Sequence, residues 1–252
     1  PRVDISFVQR TINKAYQSIN GNAFTENTYP TNETGFYTGV TIRPAIGWRL
    51  DAYADIYKFP WLKYLVDAPS HGKDFLAQLT YTPNKQVEMY TRFRNETKQS
   101  NQPDNLPAGQ AGTTVTNFLV SIPKQNWRTQ ISYKVNPAIT LRNRIEVLWY
   151  NNKDVNKEMG FLSFFDFVYK PMLKPYAGTI RLQYFETDSY DSRIYAYEND
   201  VLYSYSIPAF YDKGFRYYIN INYDLTKKLN FWIRWAQTIY RNKTSIGSGL
   251  DE

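Results

Sequence analysis

The residues that most resemble a catalytic group lie close together in one short stretch of the chain. A hydrolytic triad needs an acid, a nucleophile and a base, which Asp67, Ser70 and His71 would supply. His71 is the single histidine of the sequence. These groups act only when a rigid scaffold brings them together, and near neighbours in one loop seldom meet that condition. The stretch is therefore interpreted as a turn, and a hydrolase that uses Ser70 and His71 is kept as an alternative.

A second group of polar residues carries oxygen atoms that would suit calcium. Its acids are Asp188, Asp191, Glu198 and Asp200. Their spacing lacks the central glycine of an EF-hand loop, so an acidic loop exposed to solvent is the favoured interpretation. Cysteine is absent, which excludes disulfides, thiolate nucleophiles and sulfur-ligated metals. The sequence predicts no catalytic residues, no metal site and no cofactor.

Charged residues recur at every second position through much of the chain. Nine arginines and seven acids share these positions, namely Arg43, Arg49, Arg92, Arg94, Arg142, Arg144, Arg181, Arg216 and Arg234, with Asp51, Asp55, Asp74, Glu88, Glu96, Glu146 and Asp224. On the wall of a barrel, alternate residues point inward. These side chains would then either interlock as salt bridges that fill a narrow lumen or line water in a wide one. The excess of arginine predicts that an open lumen would favour anions.

The positions that alternate with these charges are apolar, as the stretch from 214 to 241 illustrates. Phe215, Ile219 and Tyr223 alternate with polar residues, which is the period of two that a strand imposes on its two faces. Each arm of this stretch has about ten to twelve residues, close to the roughly 9–11 that a tilted strand needs to cross a bilayer. The stretch is predicted to be a transmembrane hairpin.

The same alternation predicts eleven strands, and the segment 98–124 is predicted to be a long loop with a short strand near 118–122. The strands lie near 2–12, 35–43, 48–57, 73–82, 86–97, 125–135, 139–150, 160–170, 177–187, 214–224 and 229–240. Short turns near 44–47, 82–85, 136–138, 170–175 and 225–228 alternate with long connections, as in outer-membrane barrels. The predicted fold class is all-β, an antiparallel transmembrane β-barrel of the outer-membrane type that occupies residues 1–252 as one domain.

Aromatic residues make up 17% of the chain, a proportion that suits a barrel with two aromatic girdles. Those expected to face lipid are Trp127, Tyr133, Trp149, Phe215, Tyr217, Phe231 and Trp235. Trp127 and Trp149 are nearly equidistant from the turn near 136–138. We therefore expect these two side chains to lie side by side at one height on the lipid face.

The net charge of +7 raises the question of a nucleic-acid partner. The basic residues are scattered and form no dense run of lysine and arginine, so the sequence gives no support to such a partner. No continuous apolar stretch is long enough for a membrane-spanning helix. The favoured explanation is that basic residues line a barrel lumen and meet anionic lipid headgroups.

Several motifs of the sequence resemble one known family. They are Gly21-Asn22-Ala23-Phe24, the run 35–44 (GFYTGVTIRP), Phe59-Pro60-Trp61-Leu62, Ala68-Pro69-Ser70-His71-Gly72, the run 188–200 (DSYDSRIYAYEND), Ser206-Ile207-Pro208 and the run 246–252 (IGSGLDE). The chain resembles the C-terminal part of an outer-membrane protein family of Bacteroidota whose members usually carry competence-type helix-hairpin-helix motifs near the N-terminus. The resemblance implies an outer-membrane barrel and gives a component of DNA uptake as an alternative function. No stretch of this sequence matches a helix-hairpin-helix, so no DNA-binding residue carries over.

The sequence thus predicts a barrel in a bacterial outer membrane that acts as a pore, a transport component or a scaffold, without catalysis. The expected partners are outer-membrane lipid and lipopolysaccharide, together with other outer-membrane proteins in a complex. Single-chain bacterial barrels have an even number of strands, and an odd number would leave an open edge in hydrocarbon. We therefore expect a longer protein with about twelve strands or more, at least one of them after Glu252.

Overall fold

The computed structural model describes residues 2–18, 21, 23–64, 66–101, 118–152, 156–226 and 228–243. Within these residues the chain is built of β-strands joined by turns and loops, and neighbouring strands pair in antiparallel fashion. No helix in the same residues is long and apolar enough to cross a membrane.

Eleven long strands form one sheet, in which the order of the strands follows the sequence. They are β1 (Val3–Ile12), β2 (Glu33–Ile42), β3 (Trp48–Phe59), β4 (Ser70–Tyr81), β5 (Val87–Asn101), β6 (Leu119–Asn136), β7 (Ile139–Asn152), β8 (Asn156–Tyr169), β9 (Tyr176–Thr187), β12 (Lys213–Thr226) and β13 (Leu229–Tyr240). Two short strands, β10 (Ile194–Tyr195) and β11 (Ala209–Phe210), pair with each other between β9 and β12. The predicted antiparallel all-β architecture with eleven long strands is confirmed.

Two strands are longer than the pattern of apolar and polar residues indicates. β5 continues to Asn101 and β6 begins at Leu119, so the ends of the segment 98–124, predicted to be a loop, belong to the sheet. The short strand predicted near 118–122 corresponds to the start of β6. Backbone hydrogen bonds hold the end of β5 in the ladder although neither of its faces is apolar, so residues 98–101 show no hydrophobic periodicity. Residues 102–117 of the predicted loop lie outside the described residues.

The connection between β7 and β8 also differs from the prediction. Asn152 pairs with Asn156, so these two strands form a tight hairpin where a long connection is predicted. The predicted alternation of short and long connections is therefore wrong at this point. The connections that follow β1, β3 and β9 are long, whereas those that follow β2, β4, β6, β8 and β12 are short.

Alternate side chains of each strand divide the sheet into two faces. On β9, Arg181, Gln183 and Phe185 are buried, whereas Leu182 and Tyr184 between them are exposed. The register of the paired strands carries the same alternation across the sheet. We call the face that includes Arg181 the inner face and the opposite one the outward face.

The apolar core lies on the inner face of β7, β8 and β9. Its buried members are Leu148, Leu162, Phe164, Phe185, Ile194, Ala196 and Phe210. The last three belong to the connection between β9 and β12, so this connection packs against the inner face of the sheet.

The strands β1 and β13 are the two edges of the sheet, and no pairing joins them within the described residues. Each edge strand therefore presents a row of backbone N–H and C=O groups on one side. This arrangement is consistent with the wall of a barrel. That further strands complete the wall stays a prediction.

Trp127 and Trp149 both lie on the outward face but at different heights. Trp127 is opposite Val147, and Trp149 is opposite Gln125. The prediction that the two tryptophans lie side by side is therefore wrong, because Trp149 lies two positions beyond the residue that pairs with Trp127. The two side chains are diagonal neighbours.

Replacing Phe185 by alanine should lower the free energy of unfolding by about 3–5 kcal/mol. The reason is that its ring is completely buried against Phe210 and Tyr240. Denaturant titration of the protein in detergent measures the change. Phe165→Ala on β8 is the matched control, because the Phe165 side chain is exposed on the outward face. A loss of equal size in both variants would contradict the assignment of the faces.

Candidate functional site: the charged inner face

The structure places the predicted charged side chains at inner-face positions. Along the strands these are Arg49, Asp51, Asp55, Asp74, Glu88, Arg92, Arg94, Glu96, Arg142, Arg144, Glu146, Arg181, Arg216, Asp224 and Arg234, and Arg43 lies in the turn after β2. Arg43, Arg49, Glu88 and Asp224, which lie near the short turns, are exposed. The others are at least partly buried, and most of them form ion pairs.

The first group of ion pairs joins β1, β2 and β3 through Arg10. Its guanidinium group donates to Glu33 over 2.5 Å and to the two carboxylate oxygens of Asp55 over 2.9 and 3.0 Å. All three side chains are buried. Gly35 lies opposite Arg10, and a Cβ atom there would come within 2.6 Å of the guanidinium carbon. The glycine therefore makes room for the ion pair.

Sequence reasoning missed Arg10 and Glu33. Val3, Ile5 and Phe7 share one face of β1, so the period of two puts Arg10 on the opposite, inner face. This alternation is the signal that could have revealed it. Glu33 falls in the polar segment 13–34, which is predicted to be a loop because no apolar periodicity marks it. In the structure Glu33 is the first residue of β2 and is completely buried.

The connection between β1 and β2, residues 13–32, lies against this group in its described part, and we call it the first inserted loop. The carboxylate of Glu33 accepts the backbone N–H groups of Glu26 and Asn27 over 2.9 to 3.1 Å. Lys98 of β5 contacts the carboxylate of Glu26 over 3.2 Å. The loop is therefore fixed to the inner face at two separate strands.

Two further groups lie in the middle of the sheet. Asp74 of β4, which is 1% exposed, accepts hydrogen bonds from Arg94 over 2.7 to 3.0 Å and from the Tyr53 hydroxyl over 2.8 Å. Glu146 of β7 accepts two hydrogen bonds from Arg128, both over 2.7 Å. Two-point pairing of arginine with carboxylate is the strongest geometry for such contacts, so each group ties neighbouring strands together.

Arg181 of β9 and Asp166 of β8 form a pair that is buried on both sides. Arg181 donates to the two carboxylate oxygens over 2.6 and 2.8 Å, and its remaining terminal nitrogen donates to the carbonyl of Tyr197 over 2.7 Å. The guanidinium group also lies 3.7 Å from the centre of the Phe164 ring. The sequence does not orient the segment 160–170, which is apolar on both faces. The ion pair with Arg181 fixes Asp166 on the inner face.

The connection from 188 to 212, which we call the second inserted loop, is fixed to β12 and β13 by a carboxylate. Glu198 is completely buried and accepts hydrogen bonds from Arg216, over 2.7 and 2.9 Å, and from Arg234. Arg234 also contacts Asp200 over 3.3 Å. We call Glu198 with its two arginines the Glu198 clamp.

The backbone of the second inserted loop rests directly on β8. A Cβ atom at Gly160 would come within 2.4 Å of the carbonyl oxygen of Ser192, so only glycine leaves room for the loop here. Ser192 itself is completely buried. At the end of the loop Asp212 contacts Lys243 over 2.5 Å, and this hydrogen bond raises the pKa of the Lys243 ammonium group.

The prediction that the acids of this loop are exposed to solvent is wrong for Glu198 and Asp200, which face arginines. Asp188 accepts the backbone N–H of Met159 over 2.7 Å, and Asp191 is exposed. The four acids are thus spread over the loop, and the described residues contain no group of three or more side chains placed to hold a metal ion. The arginine partners lie 18 and 36 positions away in sequence, so the spacing within the loop could not reveal them.

The structure separates the residues of the candidate triad. Ser70 and His71 are consecutive in β4, so their side chains point to opposite faces of the sheet. Ser70 is buried on the inner face and His71 is exposed on the outward face. Asp67 precedes the strand and donates its backbone N–H to Asn101. The interpretation of this stretch as a turn is wrong from Ser70 onward, and the geometry of a triad is not formed.

The predicted lipid-facing aromatic residues occupy the outward face. Trp127, Tyr133, Trp149, Phe215, Phe231 and Trp235 are exposed there, and Tyr217 is partly exposed. The Tyr217 ring lies 5.2 Å from that of Trp235. The two faces of the sheet therefore differ strongly in polarity. That lipid covers the outward face stays a prediction.

Comparison with known proteins does not assign the chain to a family. The sequence matches no protein-family model, and a search of curated proteins finds no significantly similar sequence. The resemblance to the Bacteroidota family stays a prediction.

Replacing Glu198 by alanine should release the second inserted loop. Arg216 would lose its carboxylate partner and Arg234 would keep only its contact with Asp200, and breaking a buried pair costs roughly 3–5 kcal/mol. The chain has no cysteine, so a single Ser192→Cys substitution can report the release. This buried thiol should react slowly with a maleimide, and about tenfold faster or more after Glu198→Ala. Ser204→Cys is the control.

Because Ser204 is exposed in the same loop, a thiol at that position should react rapidly with and without the change at Glu198. Equal and slow reaction of the thiol at position 192 in both backgrounds would contradict the role of the Glu198 clamp.

Proposed function

We propose that this chain forms the wall of an outer-membrane β-barrel whose interior is closed by its own loops. The first support is the length of the strands, because the long strands have 10 to 18 residues and a tilted strand needs roughly 9–11 to cross a bilayer. The second support is the polarity of the sheet, with aromatic and aliphatic side chains on the outward face and ion pairs on the inner face. Outer-membrane barrels combine these two features.

The main support for a closed interior is the Glu198 clamp. Glu198 cannot leave its position without unpairing arginines on two strands, and the loop that holds it also contributes three residues to the apolar core. The sequence alone is compatible with two kinds of interior, a narrow one filled by salt bridges and a wide one lined by water. The paired and buried side chains of the inner face favour the first arrangement.

A barrel closed in this way acts as a scaffold, or as a transport component that opens only when the second inserted loop moves. A permanently open pore is less consistent with the structure, because residues of the second inserted loop pack against the inner face. The DNA-uptake alternative is supported by the family resemblance alone. The hydrolase alternative loses its support, since Ser70 and His71 lie on opposite faces.

Outer-membrane lipid and lipopolysaccharide are the proposed surroundings of the outward face. Lys58, His71 and Lys73 lie exposed on adjacent strands of that face, with Lys58 directly opposite His71. They are close to the long connections that follow β1 and β3. Basic side chains at that level suit the phosphate groups of lipopolysaccharide.

The proposal requires partners for the edge strands β1 and β13. Unpaired backbone groups in hydrocarbon cost several kcal/mol each, so an open edge cannot persist there. Either the two edges pair with each other or additional strands of the protein pair with each. The even strand number of bacterial barrels favours additional strands.

An arginine in place of Ile145 should lower the free energy of unfolding from lipid by roughly 2–4 kcal/mol. The reason is that Ile145 lies on the outward face near the middle of β7, where the proposal places lipid. Thr140→Arg is the control, because Thr140 lies on the inner face of the same strand near its short turn. Denaturant titration in lipid vesicles measures both values. Similar effects of the two substitutions would contradict a lipid-covered outward face.

The purified protein in a planar lipid bilayer should show no steady conductance, because the inserted loops occupy its interior. Glu198→Ala should produce openings that favour anions, since the arginines and lysines on the inner face of the described strands together outnumber the acids and the change removes one further acid. Asp191→Asn removes an exposed acid of the same loop and should leave the protein without conductance. A steady conductance of the unaltered protein would contradict the closed interior, and cation selectivity of the openings would contradict the charge argument.

A further inference from the structure

A small cavity on the inner face is lined by more cationic than anionic side chains. Its volume is about 170 Å³, and it lies between β5, β6, β7 and the second inserted loop. The charged side chains of its lining are Arg92, Arg94, Lys124, Arg128 and Arg193, with Glu96 and Glu146. Five cations therefore face two acids.

The two acids of the cavity are already engaged. Glu146 is held by Arg128 through two hydrogen bonds. Glu96 contacts Lys98 over 2.8 Å and Arg94 over 3.4 Å. Neither carboxylate is left to balance the remaining cations of the lining.

Arg92 and Lys124 are the cations without a carboxylate. No ion pair within the described residues includes either of them, although Lys124 lies opposite Glu96 in the ladder. The Nε atom of Arg92 is closed off from solvent and has no hydrogen-bond partner. A buried charged donor in this condition is strongly unfavourable unless an acceptor is supplied.

The second inserted loop adds a third cation to the same cavity. The guanidinium group of Arg193 is held by the Tyr195 hydroxyl over 2.8 Å and by the carbonyl of Tyr190 over 2.7 Å. Its nearest acid, Asp191, is 3.9 Å away and exposed. The loop therefore presents Arg193 to the cavity in a fixed orientation when it is inserted.

We propose that this cavity binds a small oxyanion, a phosphate, sulfate or carboxylate group, between Arg92, Lys124 and Arg193. At roughly 30 Å³ for each water molecule, the cavity has room for about five waters and so for such a group. The oxyanion supplies the acceptors that the inner strands lack. Since two of its ligands come from the wall and one from the inserted loop, binding also stabilises the inserted position of the loop. The inference rests on the inner face alone and not on the proposed membrane location.

Calorimetric titration of the detergent-solubilised protein with inorganic phosphate, and separately with sulfate, tests the site. Arg92→Gln should weaken binding at least about tenfold, because it removes a two-point donor. Lys124→Gln should weaken binding as well. Lys134→Gln is the matched control, since Lys134 lies on the same strand and face, outside the cavity, and should leave binding unchanged.

A second readout separates a binding role from a structural one. Without phosphate, Arg92→Gln should raise the melting temperature, because it removes a partly buried charge whose Nε atom has no hydrogen-bond partner, and phosphate should then give little further stabilisation. In the unaltered protein phosphate should raise the melting temperature and slow the maleimide reaction of Ser192→Cys. If Arg92→Gln does not fold, Lys124→Gln carries the same comparison.

Sugar phosphates distinguish a free ion from the anionic group of a larger solute. Binding of glucose 1-phosphate as tight as that of inorganic phosphate would indicate a group on a larger molecule, and its exclusion would indicate a free ion. Both results support an oxyanion site. Absence of phosphate and sulfate binding at millimolar concentration, or equal weakening by Lys134→Gln, would overturn the proposal.

Discussion

The pairing of arginine with carboxylate on the inner face is the interaction on which the rest of the structure depends. Arg10 links three strands through Glu33 and Asp55, and Arg181 with Asp166 links two more. A buried pair of this kind adds little net stability compared with apolar side chains, but removing one partner is very unfavourable. The pairs therefore select one register of the strands and one position of each loop more than they strengthen the sheet.

The inserted loops follow from the same constraint. On the inner face of the described strands, arginines and lysines together outnumber the acids, so some cations remain without a carboxylate after the strands have paired. Glu198 and Asp200 of the second inserted loop supply the missing negative charge to Arg216 and Arg234. The loops are thus the electrostatic complement of the wall, and the cavity beside Arg92 is the place where this complement is incomplete.

The period of two in the sequence was sufficient to predict the number of strands and their two faces, because a strand alternates its side chains regardless of its partners. It could not reveal the polar end of β5, residues 98–101, where no apolar face marks the strand. Nor could it show that the second inserted loop folds inward, since Glu198 meets arginines that are distant in sequence. The orientation of Asp166 was hidden for a related reason: its strand is apolar on both faces, and only the partner on β9 decides it.

The distribution of apolar side chains explains why a closed interior would be stable under the proposed function. Most large apolar residues lie on the outward face, so the core on the inner face depends on the second inserted loop for Ile194, Ala196 and Phe210. Moving this loop would expose the apolar surface of β8 and β9 to water and would unpair the arginines of β12 and β13 at the same time. Because both changes are unfavourable, the closed state does not open by small fluctuations of the loop. Under the proposed function, opening would therefore require a partner or solute that replaces the carboxylate of Glu198, as expected of a gated component and not of a passive pore.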